Sequence, residues 1–451
     1  MWAAAELRSQ VGSDPEQRSG TSLRDPGIRG GAPGAGDPIQ GLTDGQMDFF
    51  SNHALPQFVE IENLADGLGP RLNLDSCGGC HSHPAFGGSS PPTNNPQVVQ
   101  AQASGLSAQL PNLPFLQLNG PIREVRFVRN QDGTPDGGVH DVFTVMGHVS
   151  SETGVGDVPP ACNIAQPDFK HQLAQNNVIF RIPTPVFGAG MIEAITDTTI
   201  RNNLTGDTAR KAALGIRGRL NTSGNDGTVT RFGWKAQNKS LLIFAGEAYN
   251  VEMGITSENF TSEREEDPDC ATIPPVNNAS GFNVGETDPA DVVAFMGFMK
   301  FLDQPQNVTT TFTTTRGIMV TAANIAAGRE LFVRVGCALC HTQSLTTGNS
   351  SITALSNKTA NLFSDLAVHH MGAALADGVT QGAAGPDEFR TAPLWGLGQR
   401  AFFLHDGRTS DLLEAIQEHS SNGSEANAVI QKFSEMSAPE KQQLLDFLRS
   451  L

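Results

Sequence analysis

The chain is poor in tyrosine: it has one, against 25 phenylalanines in 451 residues, an imbalance that composition alone does not explain. It also lacks long apolar runs. Nothing approaches the roughly 18 uninterrupted apolar residues of a membrane helix, and the opening "MWAAAELRSQ" has no apolar core of the signal-peptide kind, so the sequence reads as a soluble, mature or recombinant form. Basic residues are scarce, 30 Lys and Arg against 47 Asp and Glu, and the resulting net charge of −17 argues against nucleic acid or an anionic membrane as partner. A charged partner should be basic. Cysteine is sparse as well, with six residues that sort into two close pairs, Cys77 with Cys80 and Cys337 with Cys340, and two loners, Cys162 and Cys270. The loners either form a disulfide in an oxidising compartment or remain unrelated buried thiols.

Glycine (48) and proline (27) are plentiful, which means many loops, and the length suggests two to three domains. Both cysteine pairs stand in the same motif: "CGGCHSHPAFGG" ends its pair on His81, and "VGCALCHT" ends its own on His341. C-x-x-C-H is the attachment site of c-type haem, in which each thiol adds to a vinyl group and the adjacent histidine ligates the iron. A zinc site sharing four cysteines fits poorly, because the pairs lie about 260 residues apart instead of the usual 15–20. Neither zinc nor a thioredoxin-like dithiol requires a histidine after both pairs. The reading is two covalently bound haem c groups with His81 and His341 as proximal ligands. Covalent haem attachment is completed outside the bacterial cytoplasm, so an exported precursor and a periplasmic location are expected.

The two halves correspond beyond the haem motifs. A stretch of helical apolar spacing precedes each, "LTDGQMDFFSNHAL" and "TAANIAAGRELFVRVG". A proline-containing segment follows each, "FRIPTPVFGAG" from Phe180 and "FRTAPLWGLG" from Phe389; then come "RFGWKAQNKSLL" and "AFFLHDGRTSDLLEAI". The first half carries an insertion of about fifty residues, whose runs "RNQDGTPDGGVHD" and "SSETGVGDVPPAC" read as surface loops. The expected fold is mainly α: two tandem cytochrome c-like haem domains with long loops and an insertion in the first. Residues 1–45 form an extended arm, 46–308 the first domain and 309–451 the second. The chain closes on "SAPEKQQLLDFLRSL", where Ser437 and Glu440 have capping-box spacing.

On "GLGPRLNLDSCGGCHSHPAFGG", "GAGMIEAI", "TRFGWKAQ", "VEMGIT", "LAVHHMGAALADG", "FRTAPLWGLG" and "FLHDGRTSDLLEAIQEH", the sequence resembles the bacterial di-haem cytochrome c peroxidase and MauG superfamily. Within it, the likeness is to the branch called di-haem oxidoreductases, sometimes labelled thiol oxidoreductases. The resemblance runs from about residue 25 to the C-terminus. It implies that peroxide reacts at the N-terminal haem while the C-terminal haem stores or relays electrons.

The resemblance also distributes roles. "YNVEMGIT" matches the distal-acid motif with its proline deleted and places Glu252 at the acid position, where a carboxylate can shuttle a proton between the two peroxide oxygens. The plainer reading is a solvated helix-terminal glutamate. Trp234 falls where the superfamily has a tryptophan between the haems, or is a core residue. Glu193 in "GMIEAI" is a second acid near the first haem or the polar end of a buried segment. The sixth ligand of the second haem maps to His419, with Met371 as the alternative and His369 and His370 behind it. A His341–His419 pair gives a saturated, lower-potential iron suited to electron transfer. No histidine stands between His83 and His140, so the first haem should be open to peroxide. Arg181 and Arg390, at equivalent places, pair with haem propionates or form salt bridges. His405 in the "HDG" turn braces it, and Arg408 is ambiguous in the same way as the other two arginines. Arg400 stands where the superfamily's calcium site has a threonine, which puts calcium in doubt.

The leading function is a periplasmic peroxidase that reduces hydrogen peroxide with electrons from a small cytochrome c or cupredoxin. A MauG-like oxidase acting on side chains of a partner protein shares the same chemistry. A plain di-haem electron carrier is the non-enzymatic alternative.

Overall fold

The computed structural model describes residues 23–63, 66–144, 166–262 and 289–451. Cys162, Cys270 and the "SSETGVGDVPPAC" run lie outside them. The described chain is mainly helical, with strands of two to four residues. Among the described residues no helix is long and apolar enough to cross a membrane.

Helices start and stop where local chemistry dictates. Thr43 and Gln46 form a capping box that opens Asp44–Phe49; the helix then runs through a π-helical turn, Phe50–Ala54, into Leu55–Val59. Phe50, Ala54 and Phe58 repeat every fourth residue and are buried. They pack on the helix Asp291–Phe301, where Phe298 stacks between Phe58 at 4.0 Å and Phe50 at 5.5 Å. The apolar helix Leu241–Met253, capped by Ser240, lies against the same helix. It ends at Gly254, whose φ of +73° a side chain would resist.

In the second half, Thr321 caps Ala322–Val335, and Gly336 at φ +119° turns the chain directly into Cys337. This helix packs on Ala438–Leu448, which opens on the Ser437–Glu440 capping box. Phe332 and Phe447 meet edge to face at 5.5 Å in that contact.

Two hydrophobic clusters result, one around each C-x-x-C-H, but they do not part at residue 308. Leu214 and Ile216 pack in the second core, whereas Leu345, Leu355, Leu362, Leu366 and Trp395 pack in the first. The arm also spans both: Ile39 N–H donates to Phe301 O, and Arg29 N–H to Gly398 O. At its start the buried Asp25 carboxylate accepts from Arg449 Nε at 2.8 Å and from Leu412 N–H at 2.9 Å.

Small antiparallel sheets place the site residues. Strand Glu124–Phe127 lies between Val139–His140 and Val178–Arg181, in a register that sets Glu124 opposite Arg181. The run from Arg129 to Asp141 is therefore a tight turn leading into a paired strand, not a surface loop throughout. Strand Val368–His370 pairs with Glu388–Arg390.

Candidate functional site

Each C-x-x-C-H borders its own cavity. The walls of the first include Cys77, Cys80, His81, Phe58, Phe295 and Met299. The one-turn helix Cys77–Cys80 ends with His81 N–H donating to Cys77 O at 3.0 Å. His81 Nδ1 lies 3.0 Å from Gly88 O. A carbonyl only accepts, so Nδ1 carries the proton and Nε2 keeps its lone pair. Burial lowers the His81 pKa and so favours this neutral form.

Opposite polar groups converge on the same cavity: Glu124, Arg126, Arg181 and Glu252. Glu252 comes from the last turn of Leu241–Met253, pinned by Asn73 N–H to its carbonyl at 2.7 Å. Its carboxyl is hydrogen-bonded to Glu124. Burial, then the charge on Glu124, pushes Glu252 well above the usual carboxylate range. Burial would raise Glu124 too, but the charge of Arg126, at 2.9 Å, the hydrogen bond from Glu252 and the charge of Arg181 outweigh it and hold Glu124 down at about 2. Two buried carboxyls in contact beside Arg126 favour one shared proton over two charges, with Glu252 the more readily protonated of the two. Glu124 and Arg126 were not expected from the sequence, where only the alternation in "EVRF" hints at them.

Glu193 is not brought to this cavity. Its carboxylate accepts from Leu241 N–H at 2.8 Å and pairs with Lys300 at 3.0 Å, tying three helices together. His81 is the one histidine among the lining residues of the first cavity. His140 stacks on Phe127 and pairs with Asp136 instead, and His83 Nε2 bonds Gln399 O at 2.8 Å.

The second cavity lies at the other C-x-x-C-H. His341 Nδ1 lies 3.0 Å from Phe363 O and His419 Nδ1 lies 2.8 Å from Ala415 O, so both rings expose an unprotonated Nε2. Both line the cavity, as do Cys337, Cys340 and Met371. Burial first, then the charge His419 would carry, lowers His341 to about 4. His369 has both ring nitrogens engaged, Nε2 with Asp365 at 2.9 Å and Nδ1 with Glu425 at 2.8 Å. His370 is half-exposed against Asp387.

Arginines serve both cavities. Arg181 donates to Asp377 and to Gln381, each at 2.6 Å, while its buried Nε has no hydrogen-bond partner. Arg390, in the second cavity, donates to Arg231 O at 2.7 Å and likewise has a buried, unpartnered Nε. Arg400 lines that cavity as well; burial lowers both Arg390 and Arg400 to about 10, and the Arg400 charge adds to the effect on Arg390. His405 stacks on Phe389 at 4.3 Å, and Arg408 pairs with Asp406 and Glu418 at the surface.

Trp234 is the one residue common to the linings of the two cavities. Its indole N–H donates to Ile182 O at 2.9 Å, and its ring lies edge-on to His405 at 6.4 Å. Beside it Lys235, fully buried, pairs with Asp377 at 3.1 Å, so that Asp377 bridges Lys235 and Arg181.

The profile of the family described as "Di-haem oxidoreductase, putative peroxidase" matches residues 127–451, beginning after the first C-x-x-C-H. No curated protein matches the chain. Among solved structures, hydrazine synthase of Kuenenia stuttgartiensis, pressurised with xenon, is similar over 46% of this chain and 60% of its own, with 15% identity and a TM-score of 0.25, too slight a likeness to bear on the fold. With most of its length and all of its second cavity inside the matched range, this chain belongs to the di-haem oxidoreductase family.

Proposed function

We propose that the chain is a periplasmic c-type di-haem peroxidase that reduces hydrogen peroxide in the first cavity with electrons relayed from the second. The observation that carries this reading is the asymmetry across Trp234. Both cavities end on a C-x-x-C-H, but only the first holds a proton-sharing carboxyl pair, and only the second holds another histidine with a free Nε2.

The residues fit haem c at both places. All four motif cysteines are free thiols. Each proximal histidine is locked in the tautomer that leaves Nε2 for iron, by the kind of outer hydrogen bond that orients metal-bound imidazoles. The unpartnered Nε atoms of Arg181 and Arg390, and the mutual repulsion of Arg390 and Arg400, call for anions, which propionates supply. When bound, haem iron supplies the redox chemistry: peroxide activation in the first cavity and electron storage in the second.

The protein's own part is to hold and move protons and to set the electron path. Glu252, kept protonated, donates to the departing oxygen; Glu124, kept ionised by Arg126, takes up the proton that the incoming peroxide gives up and returns it to Glu252. His341 and His419 would hold the iron of the second haem, which would leave peroxide to the first cavity. Trp234, fixed by Ile182 O and its edge contact with His405, carries electrons between the sites. A small cytochrome c or cupredoxin is the donor. Cytochrome c-like units over 46–308 and 309–451 would each hold one haem, with the core segments exchanged as described.

The test is the low-temperature EPR and optical spectrum of the oxidised holoprotein before and after one equivalent of hydrogen peroxide. One high-spin and one low-spin haem, with the high-spin signal lost on adding peroxide, is expected. Two low-spin haems that peroxide leaves unchanged would overturn the reading.

A further inference from the structure

The chain's one tyrosine, Tyr249, lies in the middle of Leu241–Met253 and is 1% exposed. Its hydroxyl oxygen is 3.0 Å from Glu62 Oε1 and 2.9 Å from Asp291 Oδ2. A phenol has one proton to give. Two carboxylates cannot both accept it, so one of these contacts is a hydrogen bond donated to the phenol by a protonated acid. Burial, then the charge of Asp291, raises Glu62 to about 8 and makes it that acid. Asp291 opens the helix Asp291–Phe301, where the peptide dipoles favour an anion. The three groups are set as a relay: with Glu62 protonated, it donates to the phenol oxygen, and the phenol donates to the Asp291 carboxylate.

Packing does not require this arrangement. A chain with 25 phenylalanines fills its cores with plain rings elsewhere, and burying the Glu62 carboxyl, with Asp291 partly buried beside it, around a phenol costs free energy that a phenylalanine among apolar neighbours would not. The position is also specific. The Tyr249 ring lies edge-on to Phe295, with centroids 4.9 Å apart, and Phe295 lines the first cavity together with Ala245, Ala248 and Glu252 of the tyrosine's own helix.

We propose that Tyr249 is a redox-active tyrosine, which releases an electron to the first cavity while its phenolic proton crosses to Asp291. The inference rests on the peroxidase reading. Hydrogen peroxide is the oxidant: two electrons and two protons convert it to two waters, and where no reduced donor is present both electrons come from the holoprotein. Tyr249 supplies one of them, and the haem groups of the holoprotein supply the other. Its O–H bond breaks, the electron leaves past Phe295, and the proton settles on Asp291, hydrogen-bonded to a neutral phenoxyl radical. The protons that complete the waters arrive through Glu252. One electron from the donor protein and the return of the Asp291 proton restore the phenol. Keeping the proton within reach lowers the cost of oxidising the ring, so the oxidising equivalent rests on Tyr249 instead of damaging neighbouring side chains.

Because the chain has one tyrosine, feeding cells tyrosine deuterated on the ring carbons beside the hydroxyl labels Tyr249 alone. Labelled and unlabelled holoprotein would be mixed with one equivalent of peroxide, frozen over a series of times and read by EPR, with the haem absorption bands followed in parallel. A narrow organic-radical signal whose splitting collapses on deuteration is expected, absent in Tyr249→Phe and largely lost in Asp291→Asn. If the haem bands respond and no deuterium-sensitive signal forms in the unsubstituted protein, the proposal falls and the peroxidase reading stands. If the haem bands do not respond, both fall. A radical of full yield in Asp291→Asn would remove the proton acceptor from the proposal. Should Tyr249→Phe not fold, the isotope comparison decides alone.

Discussion

The two cavities begin alike and end differently. Each starts on a C-x-x-C-H whose histidine gives its Nδ1 proton to a backbone carbonyl, Gly88 O in one and Phe363 O in the other. Phenylalanine tilts against each histidine, Phe58 in the first and Phe332 in the second, at 6.1 and 6.3 Å. Across the cavity the likeness stops. The first faces Glu124, Arg126 and Glu252, groups that hold and pass a proton; the second faces His419, Met371, Arg390 and Arg400, which can fill a coordination site and neutralise anions. The two cavities therefore differ in the polar groups that line them beyond the shared motif, with Trp234 common to both.

The comparison breaks most visibly when either pair of cysteines is removed. Cys77→Ala with Cys80→Ala should leave one covalent haem by mass spectrometry and abolish the peroxide reaction. Cys337→Ala with Cys340→Ala should also leave one, but keep a peroxide-responsive high-spin signal. Equal behaviour of the two double variants would mean that the cavities are not specialised.

Glu252→Gln should slow peroxide consumption roughly a hundred- to ten-thousand-fold, the range of a lost general acid, and stopped-flow kinetics would measure it. Glu124→Gln should have the same sense with a smaller effect, since it acts through Glu252. An unchanged rate in Glu252→Gln rules out the acid assignment. At the second site, His419→Ala should convert one haem from low to high spin in EPR while Met371→Leu leaves it low spin; the reverse pattern would make Met371 the ligand.

Trp234→Phe keeps the ring but loses the indole N–H bond to Ile182 O. Electron passage between the cavities should slow about tenfold, little more than one kcal/mol of barrier, with the first reaction of peroxide untouched. The smallest effect concerns stability. Burial would raise Glu425, but its hydrogen bonds from His369 and from the Arg217 and Gly218 N–H groups, with the His369 charge, hold it at about 2 against an ordinary 4.5. A depressed acid stabilises the fold above its ordinary pKa, and that contribution fades as the pH falls from about 4.5 toward 2. After discounting for partial solvent screening, Glu425→Gln should cost about 1–2 kcal/mol near neutrality. Denaturant melts should show that difference shrink in acid, and a gap that persists at the lowest pH would assign the loss to packing.

Helices that carry their own signals were legible in advance. The Ser437–Glu440 capping box and the helices before each haem motif rest on neighbours three or four residues apart. The strands were not, because an alternation over two to four residues, as in "EVRF", is too short to stand out from chance, and with them went the register that sets Glu124 opposite Arg181. Glu193 was misplaced for a related reason. A glutamate in an apolar segment signals a buried polar contact, but not whether that contact is a cavity or, as here, Leu241 N–H and Lys300.

Spacing along the chain reveals the features with short-range chemistry: two C-x-x-C-H motifs and the caps and glycine stops of the helices. Thiol and imidazole must lie within a few residues to grip one haem, so spacing along the chain suffices to find them. Folding alone brings a carboxyl to Glu252, lets Asp377 from the second half bridge Lys235 and Arg181 from the first, crosses core segments between the halves and sets a lone tyrosine between Glu62 and Asp291. These groups are far apart in the chain, and their proton affinities come from burial and from charges that folding brings within a few ångströms.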